Sequence, residues 1–300
     1  MRHRTVVSTV VSTVVSALCG ALALALPAQA ATSGPSGHTI VFGHRGASAY
    51  APENTLSSVQ RAADLGTDWV ENDVQRTRDG ALVVIHDTTL ARTTDVKRRY
   101  PRRSPWAVGS FTLAEIKKLD AGNWFAPRFR GERVPTLGEY LGRLDRTGQG
   151  LLLELKQPEL YPGIEGQTLD VLGRAGWLDR RHLTRRLIVQ SFNADALRTT
   201  HRLHPGVRTG FLGSPPVSQL TRYAAFSDAV NPPQGAVTAA YVAAVHRLMG
   251  PHGRRMRVDA WTVDSAAAAL RLVKLRVDGI ITNRPDVMER AVRPSAAEAA

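Results

Sequence analysis

Between Thr39 and Thr282 the chain repeats one unit: a short apolar run ending in polar residues, then a stretch with helical spacing. The runs are Thr39–His44, Trp69–Val74, Leu151–Lys156, Leu187–Ser191, Thr209–Leu212, Asp228–Asn231, Arg257–Val263 and Gly279–Thr282. Their shortness and flanking polar residues mark them as strands. Asn54 reads as the cap of a helix with Leu56, Val59, Ala63 and Leu65 on one face and Gly66 at its end. Further helical patterns cover Ala194–Leu203, Ala236–Met249 and Ala266–Leu275. Eight β/α units predict an α/β fold of the (β/α)8 TIM type, a closed parallel barrel with functional residues at the carboxyl ends of its strands. An open doubly wound sheet is the alternative. It gives no reason for functional residues at nearly every strand end.

The second strand runs into the segment VENDVQRTRDGALVVIHD, residues 70–87. Side chains alternate along a strand, so Glu71 and Asp73 share a face. Asp79-Gly80 between β-formers is a two-residue hairpin signal. A turn on those two residues sets Arg78 against Ala81 and Asp73 directly opposite His86. The bland alternative is a half-exposed hairpin whose polar residues merely meet water. Residues Thr88–Pro135 then interrupt the alternation with a capping-box helix start at Thr112 and Glu115, and with Trp106, Phe111, Trp124, Phe125 and Phe129. Such an insertion sits over the barrel mouth as a wall or lid, or its aromatics form a satellite cluster under a long loop.

The strand ends carry the chemistry. The first ends His44-Arg45-Gly46, the second supplies Glu71 and Asp73 with His86 across the hairpin, and LLLELK supplies Glu154 and Lys156. Others end in Gln190-Ser191-Phe192, pass through Trp261, or end Thr282-Asn283. One such residue alone is more often structural. Three carboxylates, two histidines, an arginine and a lysine on one rim need a purpose for their mutual charge. Glu71, Asp73 and Glu154 make a hard oxygen site suited to one divalent metal ion, Ca²⁺ or Mg²⁺. Arg45 and Lys156 offer positive charge for phosphate oxygens. His44 and His86 can divide the proton work as base and acid. These are the parts of a phosphodiester-cleaving site. No G-x-S-x-G supplies a serine nucleophile elbow, and a glycosidase would not need this much positive charge.

The N-terminus carries a targeting pattern. MRHR, a Val/Ala/Leu-rich run and Ala28-Gln29-Ala30 read as a signal peptide over residues 1–30 cleaved near Ala30, hence secreted or extracytoplasmic. A retained membrane anchor is the alternative. A flexible mature N-terminus (31–38), the barrel domain (39–292, with the insertion 88–135) and a disordered tail (293–300) follow. The single cysteine, Cys19, lies in the targeting segment, so the mature chain has no disulfide, thiol nucleophile or thiolate metal site. The formal net charge is +13, with Arg2 and Arg4 in the targeting segment and the densest cluster at Lys97–Arg103. That charge favours phosphate esters, anionic envelope polymers or a lipid surface. No nucleic-acid motif accompanies it, and no protein partner is evident.

HRGASAYAPENT, the segment 70–87, LLLELK, QSF and WTV together closely resemble the glycerophosphodiester phosphodiesterases, and the resemblance spans about residues 40–290. It implies a (β/α)8 barrel that cleaves deacylated phospholipids to an alcohol and glycerol 3-phosphate. It further implies that Glu71, Asp73 and Glu154 hold the metal, that His44 and His86 are the acid/base pair, and that Arg45 and Lys156 contact phosphate. The glycerol's neighbouring hydroxyl would attack first, giving a cyclic phosphate that water then opens. Glu53, in the P-E-N-T block, is a metal or second-layer partner or orients Arg45; Gln190 and Trp261 belong to the same outer layer or to the substrate pocket. Asn72 stands where many relatives have an apolar residue, on the face away from the acids. Asn283 replaces a frequent acid and is expected to affect only outer contacts. A related barrel phospholipase acting on lysolipid or lipid head groups, and a non-enzymatic binder of anionic wall polymers, remain as alternatives.

Overall fold

Nine strands organise the computed structural model, which describes Met1 and residues 39–292. They are β1 (Ile40–Gly43), β2 (Trp69–Arg76), β3 (Leu82–Val84), β4 (Gly150–Leu155), β5 (Leu187–Ser191), β6 (Arg208–Leu212), β7 (Ala229–Asn231), β8 (Arg257–Ala260) and β9 (Gly279–Thr282). All but β3 are parallel neighbours, and β1 pairs with both β2 and β9, so the sheet closes into an eight-stranded barrel. The expected signal peptide, mature N-terminus and tail lie outside the described residues. No described helix is long and apolar enough to cross a membrane.

Register decides which side chains meet inside. Asp73 pairs with Glu154 and Glu154 with Gln190, so three polar side chains share one level of the inner face. Glu71, two residues earlier, lies level with Leu152 and Ile188. Phe42, Leu152, Ile188 and Ile281 form a buried apolar cluster at the lower levels, with Trp69 against Phe42 edge to face at 5.5 Å. The outward faces of the strands are buried under the helices in two larger clusters. Asn72 points outward as alternation requires, fully buried and with both amide atoms unpartnered.

β2 outruns β1, and β3 occupies its free edge antiparallel. The hairpin register differs by one residue from the two-residue-turn expectation. Val74 pairs with Val84 and Arg76 with Leu82, so Ile85, whose N–H donates to the carbonyl of Asp73 at 2.9 Å, takes the place assigned to His86. Thr77 causes the shift. Its hydroxyl donates to Asp79 Oδ1 at 2.6 Å and accepts from the N–H of Ala81 at 2.9 Å, while Gly80 takes φ +86. This is the three-residue loop with a left-handed glycine, the next commonest hairpin closure after two residues.

The first helix, Leu56–Asp64, is capped by Thr55 through a capping box with Ser58, not by Asn54. Asn54 is in the left-handed region at φ 60 and spends its amide elsewhere. The insertion packs Leu90, Val96, Val108, Phe111, Ile116 and Leu119 against Val83 and Ile85 of the hairpin in a separate core, with Trp106 packed against it. Those two aromatics thus belong to a satellite cluster. The basic run is mostly satisfied locally: Arg98 and Arg99 pair with Asp95, and Arg103 pairs with Glu115.

Candidate active site

Ligand-atom oxygens of Glu71, Asp73 and Glu154 lie within 4.8 Å of one another, and the residues are 1%, 1% and 5% exposed. Burial of a carboxylate favours its neutral form, and a second carboxylate adds to the effect. Burial and then the charge of Asp73 push Glu154 up to about 8. Glu71 is raised by burial and by both other acids. For Asp73 burial also acts upward, but Arg45, Lys156 and His86 outweigh it and leave the group below its ordinary value. A dry cluster of oxygen donors at this spacing, two of them held toward protonation, fits a hard divalent cation.

Two cations border the acids. Arg45 adopts φ 54, rare for a side chain of this size. That left-handed turn lets its N–H donate to Glu71 Oε2 at 2.9 Å while Nη1 donates to Glu53 Oε1 at 2.8 Å and Nε lies 3.4 Å from Asp73. Lys156 Nζ is 2.9 Å from Glu154 and 3.5 Å from Asp73. Gly46 makes the Arg45 turn possible: it has φ +85, and a Cβ there would collide with Ser58.

The two histidines are backed differently. His44 Nδ1 is 2.7 Å from Asn283 Oδ1, and burial, then the neighbouring Arg45, lower its pKa to about 4. His86 Nδ1 is 2.7 Å from Asp87 Oδ1. Arg92 donates to both oxygens of Asp87 at 2.7 and 2.8 Å, and to both oxygens of Glu53 at 2.7 and 2.8 Å. Beneath, the Gln75 amide donates to the carbonyls of Ile85, His86 and Asp87 at 2.9, 3.0 and 2.7 Å, fixing the loop that carries the imidazole.

His44, Arg45, Glu71, His86, Glu154 and Lys156 line one cavity together with Gln190, Phe192, Leu212 and Trp261. Asp73 sits beside it under Arg45 and Lys156. Glu53 stands outside the acid cluster and orients Arg45 and Arg92. Gln190 is 3.4 Å from Glu71 and accepts from Asn231 at 2.8 Å. Trp261 donates to the carbonyl of Asn231 at 2.6 Å and meets half-exposed Phe192 edge on at 5.6 Å.

The sequence from His44 to Val287 matches the model of the glycerophosphoryl diester phosphodiesterase family. The chain belongs to this family. Its fold and class follow: a (β/α)8 barrel enzyme and a phosphoric diester hydrolase. A glycerophosphodiester phosphodiesterase of Caldanaerobacter subterraneus subsp. tengcongensis is 36% identical over 85% of this chain and 98% of the relative. One of Bacillus subtilis is 32% identical over 89% of this chain and 92% of the relative. Among solved structures, an Oleispira antarctica phosphodiesterase in complex with the product sn-glycerol-3-phosphate superposes with a TM-score of 0.73 at 29% identity, covering 85% of this chain and 97% of that one.

The segment matched by the glycerophosphoryl diester phosphodiesterase family contains every site residue described above. Sequence reading did not single out Gln75, Asp87, Arg92 or Asp264, which accepts from the backbone and side-chain amides of Asn283. Asp87 carried a signal, its adjacency to His86 at the end of an apolar run. Gln75 carried one too, sharing the face of Glu71 and Asp73. Arg92 and Asp264 lie in loops, where no periodicity points to a partner.

Proposed function

We propose that the chain hydrolyses glycerophosphodiesters to an alcohol and glycerol 3-phosphate, with His44 and His86 as a proton-transfer pair. The observation that carries this reading is that both imidazoles line one cavity while each Nδ1 is taken by a side-chain oxygen. Nε2 of each ring is therefore the nitrogen left for substrate. His44, held neutral by burial, is the base; His86, with a carboxylate behind the ring to offset the charge of an imidazolium, is the acid.

Arg45 and Lys156 hold the non-bridging phosphoryl oxygens. His44 Nε2 takes the proton of the glycerol 2-hydroxyl as its oxygen bonds to phosphorus. The bond from phosphorus to the alcohol oxygen breaks, and that oxygen takes a proton from His86 Nε2. In the second step the roles reverse. His86 takes a proton from water, whose oxygen bonds to phosphorus, and His44 returns its proton to the glycerol oxygen as the cyclic bond opens. The sum is addition of one water. Glu71, Asp73 and Glu154 would hold one divalent cation, Ca²⁺ or Mg²⁺, which when bound neutralises the acids and polarises a phosphoryl oxygen. The targeting pattern of residues 1–30 supports action outside the cytoplasm, where the positive charge suits contact with anionic envelope polymers or lipid.

Turnover of glycerophosphocholine by the purified protein, with chelator and with Ca²⁺ or Mg²⁺ restored, tests the reading. Metal-dependent release of choline and glycerol 3-phosphate is expected. Preferred turnover of lysophosphatidylcholine would move the protein to the lysolipid phospholipases. Absence of metal-dependent turnover on a panel of glycerophosphodiesters would leave a binder of anionic polymers.

A further inference from the structure

Asn283 follows the last barrel strand, and the outer contact its amide makes is to the His44 ring itself. The Oδ1 atom is 2.7 Å from His44 Nδ1 and also accepts from the Ser48 hydroxyl at 2.7 Å. The other end of the amide meets Asp264. Asn283 Nδ2 donates to Asp264 Oδ2 at 2.7 Å, and the Asn283 backbone N–H and the Thr282 hydroxyl donate to Asp264 Oδ1 at 2.8 and 3.1 Å.

An amide can be turned over without changing its shape, so the partners must fix which end is which. Here a carboxylate does so, because both Asp264 oxygens are placed as acceptors. Asp264 requires the NH₂ of Asn283, so the carbonyl oxygen faces His44. A carbonyl oxygen also only accepts, so the imidazole must present Nδ1–H. In the neutral ring the lone pair is then on Nε2, the nitrogen left for the cavity. We infer that Asp264, acting through the amide of Asn283, selects the Nδ1–H tautomer of His44 and so makes its Nε2 a proton acceptor. Asp264 and Asn283 are positioning residues for the reaction. The inference rests on the role proposed for His44. The second histidine is built otherwise, with a carboxylate directly on its ring.

Nitrogen-15 NMR of histidine-labelled protein reads the tautomer, the His44 signals being assigned by their loss in His44→Gln. The wild type is expected to show His44 as Nδ1–H wherever the ring is neutral. In Asp264→Asn the residue at 264 can turn an NH₂ toward position 283. The Asn283 amide then turns over and sets an N–H against His44 Nδ1. The expected result is a His44 resonance moved to the Nε2–H form, with kcat reduced about 10- to 100-fold, the range for losing a partner that fixes the tautomer of a metal-bound histidine, and KM within about twofold. A merely structural role for Asp264 would lower the melting temperature without inverting the tautomer. Wild-type His44 in the Nε2–H form would overturn the inference, whether or not the variant folds. So would an Asp264→Asn protein with wild-type ring signals and kcat. Wild-type turnover by His44→Ala would instead remove the proposed base and leave the tautomer result standing.

Discussion

Asn54 grips Asp73 with both ends of its amide: Nδ2 donates to Asp73 Oδ2 at 2.8 Å, and Oδ1 accepts the backbone N–H of Asp73 at 3.3 Å. The left-handed backbone at Asn54 is what aims the amide across the barrel rim. Asn tolerates that conformation better than most residues. Replacing it with Ala removes both contacts and leaves a strained turn. Asn54→Ala should weaken Ca²⁺ or Mg²⁺ binding about 10- to 100-fold, read by calorimetric titration. Unchanged metal affinity would separate Asn54 from the acid cluster.

The acid cluster makes stability of the metal-free protein depend on pH with a definite sign. Glu154 is raised from 4.5 to about 8 in the folded chain. Between those values the folded state keeps a proton that the unfolded chain has lost, so stability falls as pH rises through that window. Metal-free protein should therefore melt lower at pH 8 than at pH 5, and added Ca²⁺ or Mg²⁺ should raise the midpoint more at pH 8. Glu154→Gln should flatten the metal-free profile and raise its midpoint at pH 8. A melting curve that rises over that interval in metal-free wild type would contradict the buried-acid account.

Leaving-group chemistry separates the histidines. His44→Ala and His86→Ala should each lower kcat by ~10²–10⁴ on glycerophosphocholine. A p-nitrophenyl diester needs little protonation of its leaving group, so it should restore most of the loss in His86→Ala and little in His44→Ala. Equal rescue of both variants, or of neither, would mean that the two rings do not divide the work as assigned.

Gly210 tests how tightly the inner polar layer is packed. A Cβ there would lie 2.9 Å from Asn231 Nδ2, the atom that donates to Gln190 Oε1. Gly210→Ala should destabilise by roughly 1–3 kcal/mol, as overpacking does, and loosen Gln190 from Glu71. A melting temperature equal to wild type would show that Asn231 has room to withdraw.

The barrel was legible because its signal is local. The helix expected at Ala194–Leu203 has those bounds, and the strands fall within a few residues of expectation. The acids were legible for the same reason: parity along a strand set Glu71 and Asp73 on one face, and the neighbouring register brought Glu154 level with Asp73. The hairpin register was not, since Asp-Gly suits a two- or three-residue loop and the Thr77 hydroxyl decides between them. Asn54 looked like a cap because its tie to Asp73 is tertiary. Asn283 was read only as an outer contact, without its partner, because which ring its amide touches depends on how the barrel closes.

Arg92 belongs to the insertion, yet its guanidinium is clamped between Asp87 behind one histidine and Glu53 beside Arg45. One side chain thus ties the His86 arm of the site to the Arg45 arm, and that tie is anchored in a segment that packs its apolar residues against β3. Neither arm can be retuned alone. Any substitution, cleavage or bound molecule that moves the insertion acts on both at once, so loops grafted from relatives would have to keep this guanidinium in place before their effect on substrate choice could be read.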